Sequence, residues 1–143
     1  MKQFIVLVLA AFTPLLAFAE NTDENKEGDA QVVIDDFNQY SISRWQFVSD
    51  QVMGGVSTGD VDFVLDGDDV VAHMIGSVST ENNGGFIQFR RTISLPDVLT
   101  GLRLRVRGNN QRYFVHIRTG GTVFPWQYYS AEFFASENWE DIV

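Results

Sequence analysis

The sequence predicts an all-β protein, built as a β-sandwich or a barrel. Three short segments, at residues 61–65, 102–107 and 113–118, alternate apolar and polar side chains with a period of two. This alternation is typical of strands with one buried face. Turn-forming glycine and asparagine separate such segments at residues 66–68, 82–85, 108–110 and 120–121. No segment after residue 19 keeps a helical period of apolar residues over three turns, which favours an all-β fold.

The N-terminus has the layout of a secretory signal peptide. An apolar run at residues 4–11 follows a single lysine, and Ala17 and Ala19 place small residues where a signal peptidase cleaves. We therefore predict a signal peptide over residues 1–19 and export of the chain to a periplasm or to the cell exterior. A membrane anchor is the alternative. The apolar character continues beyond residue 11, but it is interrupted by Pro14 and stops before Glu20. The whole stretch is therefore short for the roughly 20 apolar residues of a spanning helix, and we expect no membrane span after cleavage.

The rest of the chain divides into a linker and one domain. Residues 20–31 are polar and acidic and lack large apolar groups. They are predicted to form a disordered linker because they cannot bury enough surface to become ordered. Residues 32–143 are predicted to form one β-sandwich domain with its own core. Longer apolar runs, typical of central strands covered on both faces, lie at residues 70–80, 85–95 and 126–135. Residues 139–142 read as the start of another strand, so we expect the domain in this chain to lack its last strand or strands.

Charge and cysteine content exclude several classes of protein. The formal net charge is −9, and an acidic surface repels a phosphate backbone, so we expect no nucleic-acid partner. The chain has no cysteine, which excludes disulfides, a thiol nucleophile and a cysteine-ligated metal. An exported domain of this kind is held together by its core alone and fits a periplasm-like compartment.

The most distinctive loop segment is residues 45–59, WQFVSDQVMGGVSTG. The adjacent glycines, Gly54 and Gly55, permit a tight and even left-handed turn after Met53. Asp50 and Ser57 flank that turn, and their side chains are able to bond backbone N–H groups and tie the loop to itself. Two interpretations stay open: a rigid recognition loop, or an ordered turn whose polar groups only satisfy the backbone.

Enzymatic and metal chemistry find little support in the sequence. Residues 55–59 match the G-x-S-x-G pattern of serine hydrolases, but that motif requires a helix after the serine, and residues 60–66 alternate like a strand. His73 and His116 are far apart and form no H-E-x-x-H pair, and the acidic residues at 66–69 lack calcium-loop spacing. We therefore predict no enzymatic activity, no metal and no cofactor.

Two further segments combine aromatic and polar residues. Residues 79–90 lead from a polar loop into a strand rich in large side chains, and residues 126–133 follow a glycine-rich turn. If Trp126, Tyr128 and Tyr129 are exposed, they suit stacking on sugar rings or docking of a protein segment. If they are buried, they belong to the core, and strand alternation would then turn only one of the two tyrosines inward.

Together these segments resemble the complex I intermediate-associated protein 30 family. The matching elements are Trp45, residues 50–57 (D-x-V-M-G-G-x-S), residues 84–86, residues 101–108, Tyr113, residues 126–129 and Trp139, in the order found in that family. The resemblance extends from about Asp35 to residue 143. It implies a galactose-binding-like jelly-roll β-sandwich, and folds of this type bind sugars or proteins through loops at one end. The family's namesake helps to assemble respiratory complex I in mitochondria, as a chaperone-like partner and not as an enzyme.

We therefore expect a non-catalytic, exported binding module, with a protein-binding or assembly-type role outside the cytoplasm. The alternative is a carbohydrate-binding module of an exported protein. In either case the expected surface combines three loop segments, and the candidate binding residues are Trp45, Asp50, Met53, Gly54, Gly55, Ser57, Asn83, Gly84, Gly85, Phe86, Trp126, Tyr128 and Tyr129. A protein partner is expected and carbohydrate is the second possible ligand.

Overall fold

The computed structural model describes residues 3–7, 15–19, 30–95, 99–124 and 126–143. These residues form strands connected by turns and three short 3₁₀ helices, so the all-β prediction is confirmed. The strands are β1 Gln3–Leu7, β2 Leu15–Ala19, β3 Ala30–Asp35, β4 Gln46–Ser49, β5 Thr58–Asp66, β6 Asp69–Ser77, β7 Ile87–Ile93, β8 Leu99–Val106, β9 Gln111–Arg118, β10 Tyr129–Ala135 and β11 Glu140–Ile142. The 3₁₀ helices are Ser41–Arg44, Asp50–Met53 and Glu81–Asn83.

The strands form two sheets and a separate hairpin. The larger sheet has the order β10-β9-β1-β7-β4, the smaller one has the order β11-β8-β2-β3, and β5 pairs with β6. Every pairing is antiparallel. Because β1 is antiparallel to both of its neighbours, β7 and β9 run in the same direction, one strand apart. The arrangement is that of a β-sandwich and not of a closed barrel.

The core lies where the sheets and the hairpin face one another. The larger sheet contributes Phe89 and Val115, the smaller sheet contributes Val106, and the hairpin contributes Ala72 and Met74, all buried in one cluster. The aromatic rings at the centre pack tilted against each other, with ring centroids 5.6 Å apart for Phe37 and Trp45 and 4.9 Å apart for Trp45 and Phe89. Tilted pairs of this kind add to the stabilisation from area burial alone.

The period-two segments form strands as predicted. In β8, Leu104 and Val106 are buried while Arg105 between them is exposed. In β9, Val115 is buried and the neighbouring Phe114 is exposed. The side chains of a strand alternate between its two faces, so the sequence pattern alone places these residues on the correct side.

The β5–β6 hairpin closes at a glycine, and Trp139 and Arg107 bind its tip. Gly67 has a left-handed φ of 67° in the turn, a conformation that costs glycine little. Asp66 accepts a hydrogen bond from Trp139 Nε1 at 3.1 Å and forms an ion pair with Arg107 at 3.2 Å. The Arg107 guanidinium also lies over the Trp139 ring, 4.8 Å from its centroid.

The first two strands fall inside the segment predicted to be a signal peptide. β1 and β2 take positions within the larger and the smaller sheet. β3 begins at Ala30, two residues before the predicted start of the domain, and residues 20–29 of the predicted linker lie outside the described residues. Cleavage after residue 19 stays a prediction. No helix in the described part of the chain is long and apolar enough to cross a bilayer.

A buried carboxylate at the end of β3 organises the turn that leads into β4. Asp35 is almost fully buried. Its Oδ1 accepts hydrogen bonds from the backbone N–H of Phe37, the Ser41 hydroxyl and Arg44, at 2.9, 2.6 and 2.9 Å. Its Oδ2 accepts one from Trp45 Nε1 at 2.9 Å and one from Arg91 of β7. A single side chain therefore ties β3, the 3₁₀ helix, the core tryptophan and β7 together.

These partners keep Asp35 ionised. Burial of the carboxyl group alone would raise its pKa. The hydrogen bonds from Ser41, Trp45 and Phe37, together with the charge of Arg91, outweigh that effect and hold the Asp35 pKa below its usual value of 3.8. A lowered carboxyl pKa stabilises the folded state at every pH above the unfolded value, and the stabilisation is lost as the pH falls through the folded value.

Replacement of Asp35 should therefore reduce stability in a pH-dependent way. In Asp35→Asn, an amide faces donors that require an acceptor, and Arg91 loses its buried counter-charge. We expect the free energy of unfolding at pH 7 to fall by about 3 kcal/mol, and the difference from wild type to shrink below pH 3.8. Urea unfolding followed by tryptophan fluorescence at several pH values measures both effects. Asp36→Asn, at an exposed neighbour, is the matched control and should change stability by less than about 0.5 kcal/mol. Equal losses in the two variants would contradict the role of Asp35.

Candidate functional site

Two loops meet at a second buried carboxylate, that of Asp50. The first loop covers residues 50–57 and the second covers residues 79–86. The Asp50 side chain is fully buried. Its Oδ1 accepts a hydrogen bond from Ser57 N at 2.9 Å, and its Oδ2 accepts bonds from Ser57 Oγ at 2.5 Å and from Gly85 N at 2.6 Å. We call this set of contacts the Asp50 clasp, because it fastens one loop to the other.

Backbone bonds reinforce the Asp50 clasp from both sides. The Asp50 N–H donates to the Phe86 carbonyl at 3.1 Å, and the Gly55 N–H donates to the Asp50 carbonyl at 3.0 Å. Ser57 Oγ, while donating to Asp50, also accepts from the Ser79 N–H at 3.0 Å. The polar groups at the junction of the loops are thus directed inward, at each other.

Two glycines leave the space that the Asp50 carboxylate occupies. A Cβ atom added to Gly55 or to Gly84 would overlap the Asp50 side chain. Gly54 has a different role: it ends the Asp50–Met53 helix with a left-handed φ of 91°. That conformation is typical of the residue after a helix and favours glycine. The Met-Gly-Gly sequence therefore shapes the turn around the carboxylate.

The geometry of the clasp bears on the hydrolase pattern at residues 55–59. Burial alone would raise the pKa of Asp50, but the hydrogen bonds from Ser57, Gly85 and Phe86 outweigh burial and lower it. The Ser57 hydroxyl is buried and donates to this ionised carboxylate. The segment that follows is strand β5 and not the helix that a nucleophile elbow requires. The motif is thus accounted for by loop fastening.

The outer side of the first loop is apolar. Val52 and Met53 are 72% and 65% exposed, and Val56 is also exposed. We call these three residues the apolar rim. The helix that carries Val52 and Met53 begins at the clasped Asp50, so the rim is held in place from below although its side chains point to solvent.

A large groove lies beside the apolar rim. Its volume is about 1390 Å³, and its lining includes Val52, Met53 and Phe86 of the two loops. The hairpin contributes residues such as His73 and Ile75. The larger sheet contributes Gln88, Arg90, Phe114, His116 and Arg118, and the segment before β10 contributes Trp126 and Tyr128.

Three aromatic rings of the groove lining, those of His116, Trp126 and Tyr128, take part in two stacked pairs. His116 and Tyr128 stack with ring centroids 4.1 Å apart and an interplanar angle of 17°. Phe124 and Trp126 stack at 4.9 Å and 7°. Trp126 is 70% exposed, and desolvation lowers the pKa of His116. The groove thus offers flat apolar faces beside a histidine that favours its neutral form.

The groove is basic although the chain as a whole is acidic. Arginines at positions 90, 107, 112 and 118 line it, which is four of the ten basic residues in the sequence. Asp66 is the acidic residue among the lining residues, and it is already paired with Arg107. The groove is thus positively charged on a chain that is negatively charged overall, and a positively charged groove attracts negatively charged ligands.

Comparison with known proteins identifies the family. A sequence model of complex I intermediate-associated protein 30 matches residues 35–143. The chain belongs to this family. The resemblance inferred from the sequence motifs is confirmed, and the match begins at Asp35, the buried carboxylate that organises the end of β3. Neither the curated proteins nor the solved structures that were compared contain a significant match to the chain.

The structure divides the candidate residues of this family member into buried and accessible groups. Trp45, Asp50 and Ser57 are buried and act through internal hydrogen bonds, so their side chains do not contribute contact surface. Gly55, Gly84 and Phe86 are half-buried. The remaining candidates are exposed, namely Met53, Gly54, Asn83, Gly85, Trp126, Tyr128 and Tyr129. Neither tyrosine is turned inward. Tyr128 precedes β10, and Tyr129, the first residue of that strand, is exposed.

Sequence reasoning missed the basic groove of this family member. The relevant signal is the polar side of β9, where Phe114, His116 and Arg118 alternate against the apolar face. Reading that side as a site requires knowing that β7 and the β5–β6 hairpin supply the other walls. Asp35 was missed for a similar reason: its partner Arg91 is 56 positions away in the sequence.

The glycines around Asp50 give a direct test of the clasp. In Gly55→Ala or Gly84→Ala, the new methyl group competes with the carboxylate for the same space. We expect each variant to lose about 2 kcal/mol of stability, the typical cost of overpacking, as measured by urea unfolding. Gly101→Ala is the matched control, because nothing lies within 4 Å of its added Cβ. A control loss as large as that at Gly55 would show that the carboxylate is not the cause.

Proposed function

We propose that this chain is a non-catalytic, exported module that binds a protein partner in an assembly-type role, through the apolar rim and the groove. The observation that carries the proposal is the Asp50 clasp. In it, the polar groups of two loops form hydrogen bonds with each other, and Val52 and Met53 are left exposed. Exposed apolar side chains beside a groove are typical of interaction sites. The family name supports an assembly-related role.

The rigidity of the loops favours binding over catalysis. Loops that are fixed before binding lose little conformational freedom when a partner docks, which improves affinity. The methionine at the tip adapts its shape to different apolar surfaces. No described serine, acid and imidazole form a hydrogen-bonded set, since the hydroxyl of Ser57 is committed to Asp50 and its neighbours.

Site-specific crosslinking in the native host tests the binding surface. The chain has no cysteine, so a photoreactive label is attached uniquely to Met53→Cys or to Trp126→Cys. We expect both positions to yield the same crosslinked partner, because both side chains line the groove. Tyr40→Cys is the matched control, with 71% exposure against 70% for Trp126 and a position outside the groove lining. Crosslinks that are equally strong from Tyr40 would contradict the proposed surface, as would none from Met53.

Export is tested separately by N-terminal sequencing of the protein from its native host. The apolar run at residues 4–11 and the small residues at 17 and 19 lead us to expect a mature chain that begins at Glu20 and fractionates outside the cytoplasm. Replacement of Ala17 and Ala19 by bulky residues should leave the uncleaved chain attached to membranes. A protein recovered from the cytoplasm with Met1 in place would overturn the export part of the proposal.

A carbohydrate ligand is the second candidate, supported by the exposed stack of Trp126 on Phe124. Flat exposed aromatic faces suit sugar rings, and Gln88 and Asn109 in the groove lining supply amide groups. Glycan-array binding that disappears in Trp126→Ala would favour this function over protein binding. Retained crosslinking to a protein in the same variant would favour the first.

A further inference from the structure

β1 is held in the larger sheet by two neighbours that do not pair with each other. It pairs along its length with β7, from Gln3 opposite Ile93 to Leu7 opposite Phe89. It pairs with β9 from Phe4 opposite Arg118 to Leu7 opposite Val115. We call the space that β1 fills the β7–β9 slot. Adjacent strands lie about 4.8 Å apart, so without β1 this slot would separate β7 and β9 by about 10 Å.

Export with cleavage of the signal peptide would remove residues that form a strand of the larger sheet. The signal peptide of the proposed function contains all of β1. Its removal would leave the facing backbone groups of β7 and β9 without their ladder, and buried backbone groups without partners are costly. The same cleavage would remove β2 from between β8 and β3 in the smaller sheet. In the larger sheet, the exported domain therefore requires another extended segment in the β7–β9 slot.

The two faces of the slot differ in chemistry. Residues directly opposite each other in a sheet share a face. Position 7 of the occupant lies opposite Phe89 and Val115, which are buried in the core, so this position requires an apolar residue. Position 6 lies opposite Arg90 and His116, both of which line the basic groove. Position 4 lies opposite Arg118, so each of these two alternate positions of the occupant has one arginine beside it.

The arginines beside the slot have N–H donors without a full set of acceptors. Arg118, opposite position 4, has a buried Nε without a hydrogen-bond partner among the described residues. Arg90 donates to Gln46 Oε1 through two long bonds of 3.3 Å, and none of the described carboxylates forms an ion pair with either arginine. A carboxylate at position 4 or 6 would supply the missing acceptor, and bonds between charged partners are the stronger ones.

We propose that the β7–β9 slot of the exported chain is an acceptor site for an extended segment of a protein partner, antiparallel to both strands and alternating apolar with acidic residues. The ladder bonds would supply affinity, and the arginines with the apolar core face would supply register and selectivity, as in other cases of strand addition. This inference rests on the proposed function and names the chemistry of its partner.

The probe is a synthetic peptide with the β1 sequence in which positions 4 and 6 are glutamate, QEIEL, flanked by Gly-Ser. The protein is the full chain carrying Ile5→Pro, since proline in a central strand removes a ladder bond and disfavours β1 in the slot. We expect this chain to bind the peptide at least tenfold more tightly than wild type does, and to gain thermal stability with rising peptide concentration. If Ile5→Pro does not fold alone, the peptide should restore folding.

Matched peptides and variants test charge and register. A peptide with lysine at positions 4 and 6 should bind at least tenfold more weakly than QEIEL, and Arg90→Gln with Arg118→Gln should remove that preference. With Thr92→Cys in this cysteine-free chain, a peptide cysteine at position 4 should form a disulfide and one at position 5 should not, because Thr92 lies opposite position 4.

Several results would overturn the inference. Equal binding of the glutamate and lysine peptides would contradict it. Failure of the QEIEL peptide to bind or to refold the Ile5→Pro chain would also contradict it. A concentration-dependent dimer that excludes the peptide would assign the slot to a second copy of the chain instead. A chain that rejects the peptide but still gives a partner crosslinked at Met53 would keep the proposed function and contradict this inference. A chain that binds the peptide but gives no crosslinked partner at Met53 would support the slot and contradict the proposed binding surface.

Discussion

The position of the exposed loop residues depends on the carboxylate of Asp50. Transfer of an ionised carboxylate from water into a protein interior is costly unless donors replace the lost water. Here Ser57 and Gly85 supply those donors from two loops that are far apart in the sequence. The carboxylate is satisfied only when both loops are in place, so either loop holds the other. Gly55 and Gly84 permit this arrangement because a larger residue would occupy the carboxylate's space.

This internal use of polar groups determines what the surface presents. With hydroxyl, carboxylate and backbone N–H groups directed inward, the outward side of the first loop is left with Val52, Met53 and Val56. Asp35 applies the same principle at the end of β3, where its carboxylate accepts hydrogen bonds from Arg91 and Trp45. The arginines at 90 and 118 are not consumed in this way and keep the groove basic. In the proposed function, local charge in the groove would therefore govern partner choice, while the net charge of −9 acts on solubility and long-range repulsion.

Much of the fold follows from local pattern, whereas the site does not. Alternation places Leu104, Val106 and Val115 in the core, and Gly67 marks its turn, because strand faces and positive φ are properties of a few consecutive residues. The Asp50 clasp joins residues 35 positions apart, and no periodicity encodes such a contact. Trp45 shows the same limit. An aromatic residue beside a distinctive loop suits a binding surface or a core equally well, and its hydrogen bond to Asp35 decides for the core.

One physical property of the N-terminal segment underlies both its predicted role in targeting and its place in the sheet. A short, uncharged apolar run is suited to be a signal sequence and equally suited to be a central strand covered on both faces. Both the membrane and the protein core exclude water. In the sheet, that run bridges β7 and β9 through two ladders, and removal of a central strand exposes two sets of backbone groups instead of one. The cost of that exposure is greatest where the neighbouring side chains, such as Phe89 and Val115, are fully packed. Export of the chain would therefore couple completion of its fold to capture of an extended segment, with β7 and β9 already defining the direction, register and charge of that segment.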